Sequence, residues 1–157
     1  MQRRHVVAAA GAALVWTRPA SAHHGWSSFD QDRPIFVEGE ATSVAWRNPH
    51  AELKLRVPAD LRLPADFAQR RLPAQSASVD SGRILANARV PTRKVTEWQV
   101  ELAPLSRLDA WKVAEIRPGQ RIGVLGYTFA GERGDPVVRA EYLFVGDQAY
   151  GLRSSPA

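Results

Sequence analysis

Four histidines stand in the 157-residue chain, at positions 5, 23, 24 and 50. Three of them set out the chemistry the sequence can offer. His23 and His24 open the stretch His23-His24-Gly25-Trp26-Ser27-Ser28-Phe29-Asp30, and His50 ends the run Arg47-Asn48-Pro49-His50. Ala20-Ser21-Ala22, a small-x-small site for signal peptidase, lies directly before them, so cleavage after Ala22 makes His23 the first residue of the mature chain. An N-terminal histidine carries an α-amine with an unperturbed pKa of about 7.7–8.0 beside an imidazole near 6.5, and both become neutral donors at small cost around neutral pH. Such nitrogens suit copper(II), zinc or nickel, and His50 would complete a three-nitrogen set. His24 can join through its backbone amide and ring. Asp30 is an oxygen ligand or an acceptor that would fix a ring tautomer. The candidate metal residues are therefore His23, His24, His50 and Asp30, with copper or zinc as the cofactor. The plain alternative is that His50 bonds a backbone carbonyl at its turn and that His23-His24 is an ordinary chain start.

The leader that would expose these groups has a basic start (Arg3, Arg4), an apolar run from Val6 to Trp16 and the cleavage site at 20–22. The run is too short to span a membrane. Ordinary secretion fits best. The arginine pair also allows the twin-arginine route, although Gln2 stands where that signal usually has Ser or Thr. A buried helix of a cytoplasmic protein fits less well, because Thr17-Arg18-Pro19 would end it too early.

Removing the leader changes the charge argument. The chain has 21 Lys+Arg against 16 Asp+Glu; three of the arginines lie in residues 1–22 with no acid, which leaves 18 against 16. The basic excess is thus no footprint of nucleic-acid binding, and no nucleic-acid partner is expected. The remaining 135 residues suit one domain with one core. With no cysteine, neither disulfides nor thiolate sites are available. A periplasmic or secreted protein without a membrane span is expected.

The elements that must hold these groups read as mainly β. Ile35–Trp46 forms a first strand with Gly39 as a bulge or bend. After the Asn48-Pro49 turn, 51–57 alternates with Leu53, Leu55 and Val57 inward. Residues 96–102 give a third strand with Trp98, Val100 and Leu102 on one face. Ser106 can cap a short helix bearing Leu108, Trp111 and Val113. Strands four and five follow at 121–129 and 137–145, the last with Val138, Ala140, Tyr142 and Phe144 on one face. This order predicts a small five-stranded OB-like Greek-key barrel with one short helix between strands 3 and 4. An open sandwich or rolled meander would give the same string. Between Pro58 and Lys94, prolines and the lack of an apolar period predict a mobile insertion, read first as a solvated loop; the alternative is a short helix over 64–72 with Arg70-Arg71 touching an acidic partner. The domain then covers 23–150, and 151–157 is a frayed tail.

Taken together, His23 to Asp30, Trp46-Arg47-Asn48-Pro49-His50, Trp98 to Leu102 and the segment holding Trp111 and Arg117-Pro118-Gly119 resemble a family of unknown function, DUF6152, small exported bacterial proteins. The resemblance spans roughly 23–57 and 96–146. Ala110 departs from it where a glycine usually precedes the tryptophan, and so does the long 58–94 segment. It implies export and a compact β domain, and it supplies no activity.

The expected function is an exported binding module that takes a transition metal at its mature N-terminus. The competing reading is a metal-free adaptor that recognises a protein or small ligand through an aromatic barrel face, for which Trp26, Trp46, Trp98 and Trp111 are the candidates. Of these, Trp26 is expected exposed or packed over the histidines, and the others in the core. No nucleophile elbow, phosphate loop or His-Glu-x-x-His is present, so an enzyme is the least supported class.

Overall fold

Leu53, Leu55 and Val57 alternate with Glu52, Lys54 and Arg56, and that two-residue period can only be satisfied by a strand with one face turned from water. In the computed structural model, which describes residues 25–157, those three apolar side chains are buried and the charged ones lie on the outer surface. The leader, His23 and His24 fall outside the described residues.

Six strands form one sheet: β1 (Ile35–Ala45), β2 (Glu52–Arg56), β3 (Glu97–Glu101), β4 (Arg121–Tyr127), β5 (Val137–Val145) and β6 (Gln148–Gly151). Their order is β3-β2-β1-β4-β5-β6 with antiparallel neighbours, and β3 also pairs with β5 in parallel from Gln99↔Val137 to Glu101↔Arg139. That last ladder closes β1, β2, β3, β5 and β4 into a five-stranded Greek-key barrel of OB topology, as the sequence predicts. A short helix, here Leu105–Ala110, does lie between β3 and β4. Ser106 is inside its first turn and not its cap. The Leu105 N–H is met instead by Asn48 Oδ1 at 3.2 Å, from the β1–β2 connection in which the Asn48–Pro49 peptide is cis.

The barrel interior is filled by Ile35, Val37, Leu53, Leu55, Trp98, Val100, Ile122, Val124, Val138 and Leu143, with Leu108 and Ile116 closing one end. Gly39 is needed for close approach: a Cβ there would lie 1.9 Å from the carbonyl oxygen of Arg56. The β1 bulge expected at this glycine falls a little later, between Ala41 and Ser43.

A second bulge overturns one expected face. Leu125 pairs with Tyr142 but Gly126 pairs with Ala140, so Glu141 is an extra residue in β5. Every side chain beyond it changes sides. Val138 and Ala140 therefore point into the barrel, whereas Tyr142 and Phe144 pack outside it.

What covers those outer aromatics is the 58–94 segment. It holds a 3-10 turn at Phe67–Gln69, inside the expected helix, and a helix, α1 (Ser81–Asn87), begun by Asp80, which accepts the Arg83 N–H at 2.9 Å. Phe67, fully buried, lies 4.5 Å from Phe36 and 5.9 Å from Phe144 between ring centroids, and Leu85 joins the same cluster. Arg70 lies over the rings of Phe67 and Phe144.

The chain end is also packed, contrary to the frayed tail expected from its composition. Leu152 is buried, Trp111 Nε1 donates to the Ser154 carbonyl at 2.7 Å, and Ser76 N donates to Ser155 O at 2.9 Å. Buried Gln75 joins the layers: its Nε2 donates to Glu141 Oε1 at 3.2 Å and its Oε1 accepts the Ser154 N–H at 3.0 Å. Among the described residues, no helix is long and apolar enough to cross a membrane.

Candidate functional site

Of the four expected metal residues, two are described. His50 is half-buried and directly precedes Ala51, whose backbone pairs with Ala103 and Leu102 at the end of β3. Asp30 precedes β1: its N–H donates to the Thr128 carbonyl at 2.9 Å, and its Oδ1 accepts the Asp32 N–H at 3.2 Å, which shapes the turn into the barrel. The two thus flank β1 in the chain. Among the described residues, no three of the His, Asp and Glu side chains are grouped to hold a metal ion.

Trp26 gives the N-terminal segment a fixed point. It begins a 3-10 turn (Trp26–Ser28), and its half-buried ring lies 3.8 Å from the Arg153 guanidinium carbon, 5.1 Å from that of Arg139 and edge-on to Tyr127 at 6.4 Å. Cations over an indole face are attracted by its quadrupole, most strongly where water is displaced. Phe29, stacked on Phe129 at 5.1 Å, pins the same segment a turn later.

The arginines beneath Trp26 belong to two buried ion pairs on the outer side of β3 and β5. Arg139 meets Glu101 at 3.5 Å, both almost wholly buried. Arg153 meets the fully buried Glu141 at 2.6 Å, and its Nη2 also donates to Gln31 Oε1 at 3.0 Å. Burial pulls the Arg139 guanidinium below its ordinary range, while Glu101 acts to restore it. Tyr127 beside them is pushed up from 10.0 to about 12, first by burial and then by the Glu141 charge, with Arg153 opposing, so its phenol stays a neutral donor. Sequence reasoning missed this cluster. Its one visible signal is Arg139 and Glu141 inside an otherwise apolar strand.

Next to the cluster a cleft of about 280 Å³ opens between the turn at Gln31–Pro34, the start of α1 and the pair Tyr127 and Arg153. Buried Pro34 and Tyr127 form its floor with Arg153, and exposed Asp32, Asp80 and Arg83 form its rim.

The tryptophans expected in the core lie in it or against it. Trp98 is core, Trp46 and Trp111 pack partly buried against that core, and the outer rings of Phe36, Tyr142 and Phe144 are in the cluster formed with Phe67. The outer face of β2 and β3 instead presents Lys54, Arg56 and Glu97, with Glu52 and Gln99 half-buried.

No curated protein and no solved structure matches the chain. Residues 12–62, which take in the paired histidines, β1, β2 and His50, do match the model of the family of unknown function DUF6152.

Proposed function

We propose that the protein is an exported binding module whose mature chain, beginning at His23, supplies nitrogen ligands to a transition metal, copper first, with His50 as the third donor. What supports the reading is the anchoring of Trp26. Its ring sits over Arg139, which pairs across the barrel seam with Glu101; Glu101 is one residue from Leu102, the backbone partner of Ala51, and Ala51 follows His50. Two steps between neighbouring strands, at about 4.8 Å each, and two steps along a strand, at about 3.3 Å each, put Arg139, the residue under the anchor, on the order of 10–15 Å from His50. Three residues of extended chain before Trp26 reach about 10 Å, before the imidazole side chains are counted. The two lengths are of the same order, which is what the reading requires.

The test is a copper(II) titration by calorimetry of the chain beginning at His23, beside a His50→Ala variant and a chain carrying one extra residue before His23. Both changes should weaken binding by about tenfold or more, because each deletes one ligand of a three-nitrogen set. Equal affinity in all three proteins would sink the reading. The metal-free adaptor reading rests on the β2–β3 face, where Lys54, Arg56 and Glu97 are exposed among the described residues, and survival of a partner complex in the His50→Ala variant under chelation would favour it.

A further inference from the structure

We propose that the cleft between the Gln31–Pro34 turn and α1 is a second binding site, for a small amino-acid-like molecule that carries an ammonium group and, a few bonds away, a carboxylate or carbonyl oxygen. The depth ordering of its lining carries the proposal. At the floor are hydrogen-bond donors: the guanidinium of Arg153, three-quarters buried, and the phenol of Tyr127, which is 3 % exposed. Burial keeps that phenol protonated, so the floor suits an acceptor oxygen. Glu141 already balances the charge of Arg153 from behind, so the floor offers directed N–H and O–H groups more than net charge.

The rim has the opposite character. Asp32 and Asp80 are exposed carboxylates, and Arg83 reaches between them, with its Nη2 3.1 Å from Asp32 Oδ1. An ammonium group at this level meets two acids and one base. A plain anion would face Asp32 and Asp80, and a plain cation would bring the floor donors no oxygen beyond the Glu141 and Gln31 contacts that Arg153 already makes; a molecule with both groups, oxygen inward and nitrogen outward, satisfies each level. Pro34, Val79 and Ile84 supply apolar wall for a short side chain. The volume, about 280 Å³, is at the small end for ligand pockets and excludes a large substrate. This site shares no candidate ligand with the proposed metal centre, so either can fail alone.

The experiment is a thermal-shift series on the chain beginning at His23, with a chelator present to remove metal–amino-acid complexes. Glycine, serine and glutamine are compared with acetate and methylamine at equal concentration. At least one amino acid should raise the melting temperature where acetate and methylamine do not. Asp32→Asn and Asp80→Asn should each weaken that ligand by about tenfold. Asparagine still caps α1, so the second variant keeps its helix. Tyr127→Phe tests the floor without removing an ion, and should also weaken binding. Binding should change tryptophan emission in the parent chain and not in Trp26→Phe, because Arg153 touches both the cleft and that ring. No response to any amino acid, an equal response to acetate, or undiminished binding in both aspartate variants would overturn the proposal.

Discussion

The two sides of the barrel exterior use the same kinds of charged residue to opposite ends. On β2 and β3, Lys54 meets Glu97 at 2.9 Å with both side chains more than half exposed. On the other side, Arg139 of β5 meets Glu101 of β3, and Arg153 of the chain end meets Glu141 of β5, with both arginines against the Trp26 ring and both acids buried. In the first setting solvent screens the attraction and competes for every hydrogen bond. In the second, each partner holds the other's charge in a medium that penalises it alone. Distance does not separate the two cases, since the exposed pair is shorter than the Arg139–Glu101 contact. Burial does.

The sharpest way to break this contrast is Arg139→Ala. It takes the Arg139 guanidinium from Glu101, which is 3 % exposed, and should cost about 3–5 kcal/mol in denaturant unfolding. The double replacement Arg139→Met with Glu101→Leu should recover most of that loss, because it removes both desolvation penalties. Arg139 Nε is itself buried with no hydrogen-bond acceptor among the described residues, so the native pair is imperfectly satisfied. A single variant as stable as the parent would show that the pair is solvated in practice.

A smaller effect sharpens the same point through pH. Tyr127 ordinarily ionises at 10.0 and is held to about 12 in the fold. Its raised value means that the folded state prefers the protonated phenol. That contribution is complete below pH 10 and is lost as pH rises toward 12; it is on the order of 2–3 kcal/mol, two pKa steps at about 1.4 kcal/mol each. Spectroscopic titration at high pH should show late-ionising tyrosine in the parent, and Tyr127→Phe should remove part of that late phase. The Glu141 charge adds to the burial and Arg153 offsets it. If the late phase is unchanged in the variant, Tyr127 is not desolvated as described.

The contrast also explains which parts of the molecule were legible in the sequence. Leu53-Leu55-Val57 and Trp98-Val100-Leu102 each face one uniform interior, so simple alternation placed them correctly, and with them the barrel and the helix before β4. Alternation failed at Tyr142 and Phe144 because an unbroken apolar-polar pattern does not reveal the extra residue Glu141 that reverses the faces. The 58–94 segment had no period to find. It contributes isolated anchors, Phe67 and Leu85, to a surface whose other half comes from β1, β4 and β5. The buried ion pairs were invisible for a related reason: by alternation Glu101 looks like any solvent-facing strand residue, yet in the fold it is 3 % exposed and paired with Arg139. His50 and Asp30 could be picked out by type, but the hydrogen bond that ties Asp30 to its own turn could not.

The smallest effect completes the comparison. Lys54→Ala removes one partner of the open pair, and Glu97, about half exposed, then turns to water at little cost. The expected loss is about 0.2–1 kcal/mol, and it should shrink further as ionic strength rises, since mobile ions screen exposed charges within about 10 Å at 0.1 M salt. Arg139→Ala should keep nearly its full effect over the same salt range, because the Glu101 carboxylate, 3 % exposed, is out of reach of those ions. Measured together by denaturant unfolding at low and high salt, the two variants separate a screened ion pair from an enclosed one. Similar salt slopes for both would mean that the cover over β5 opens readily, and the distinction between the two faces would then rest on geometry alone.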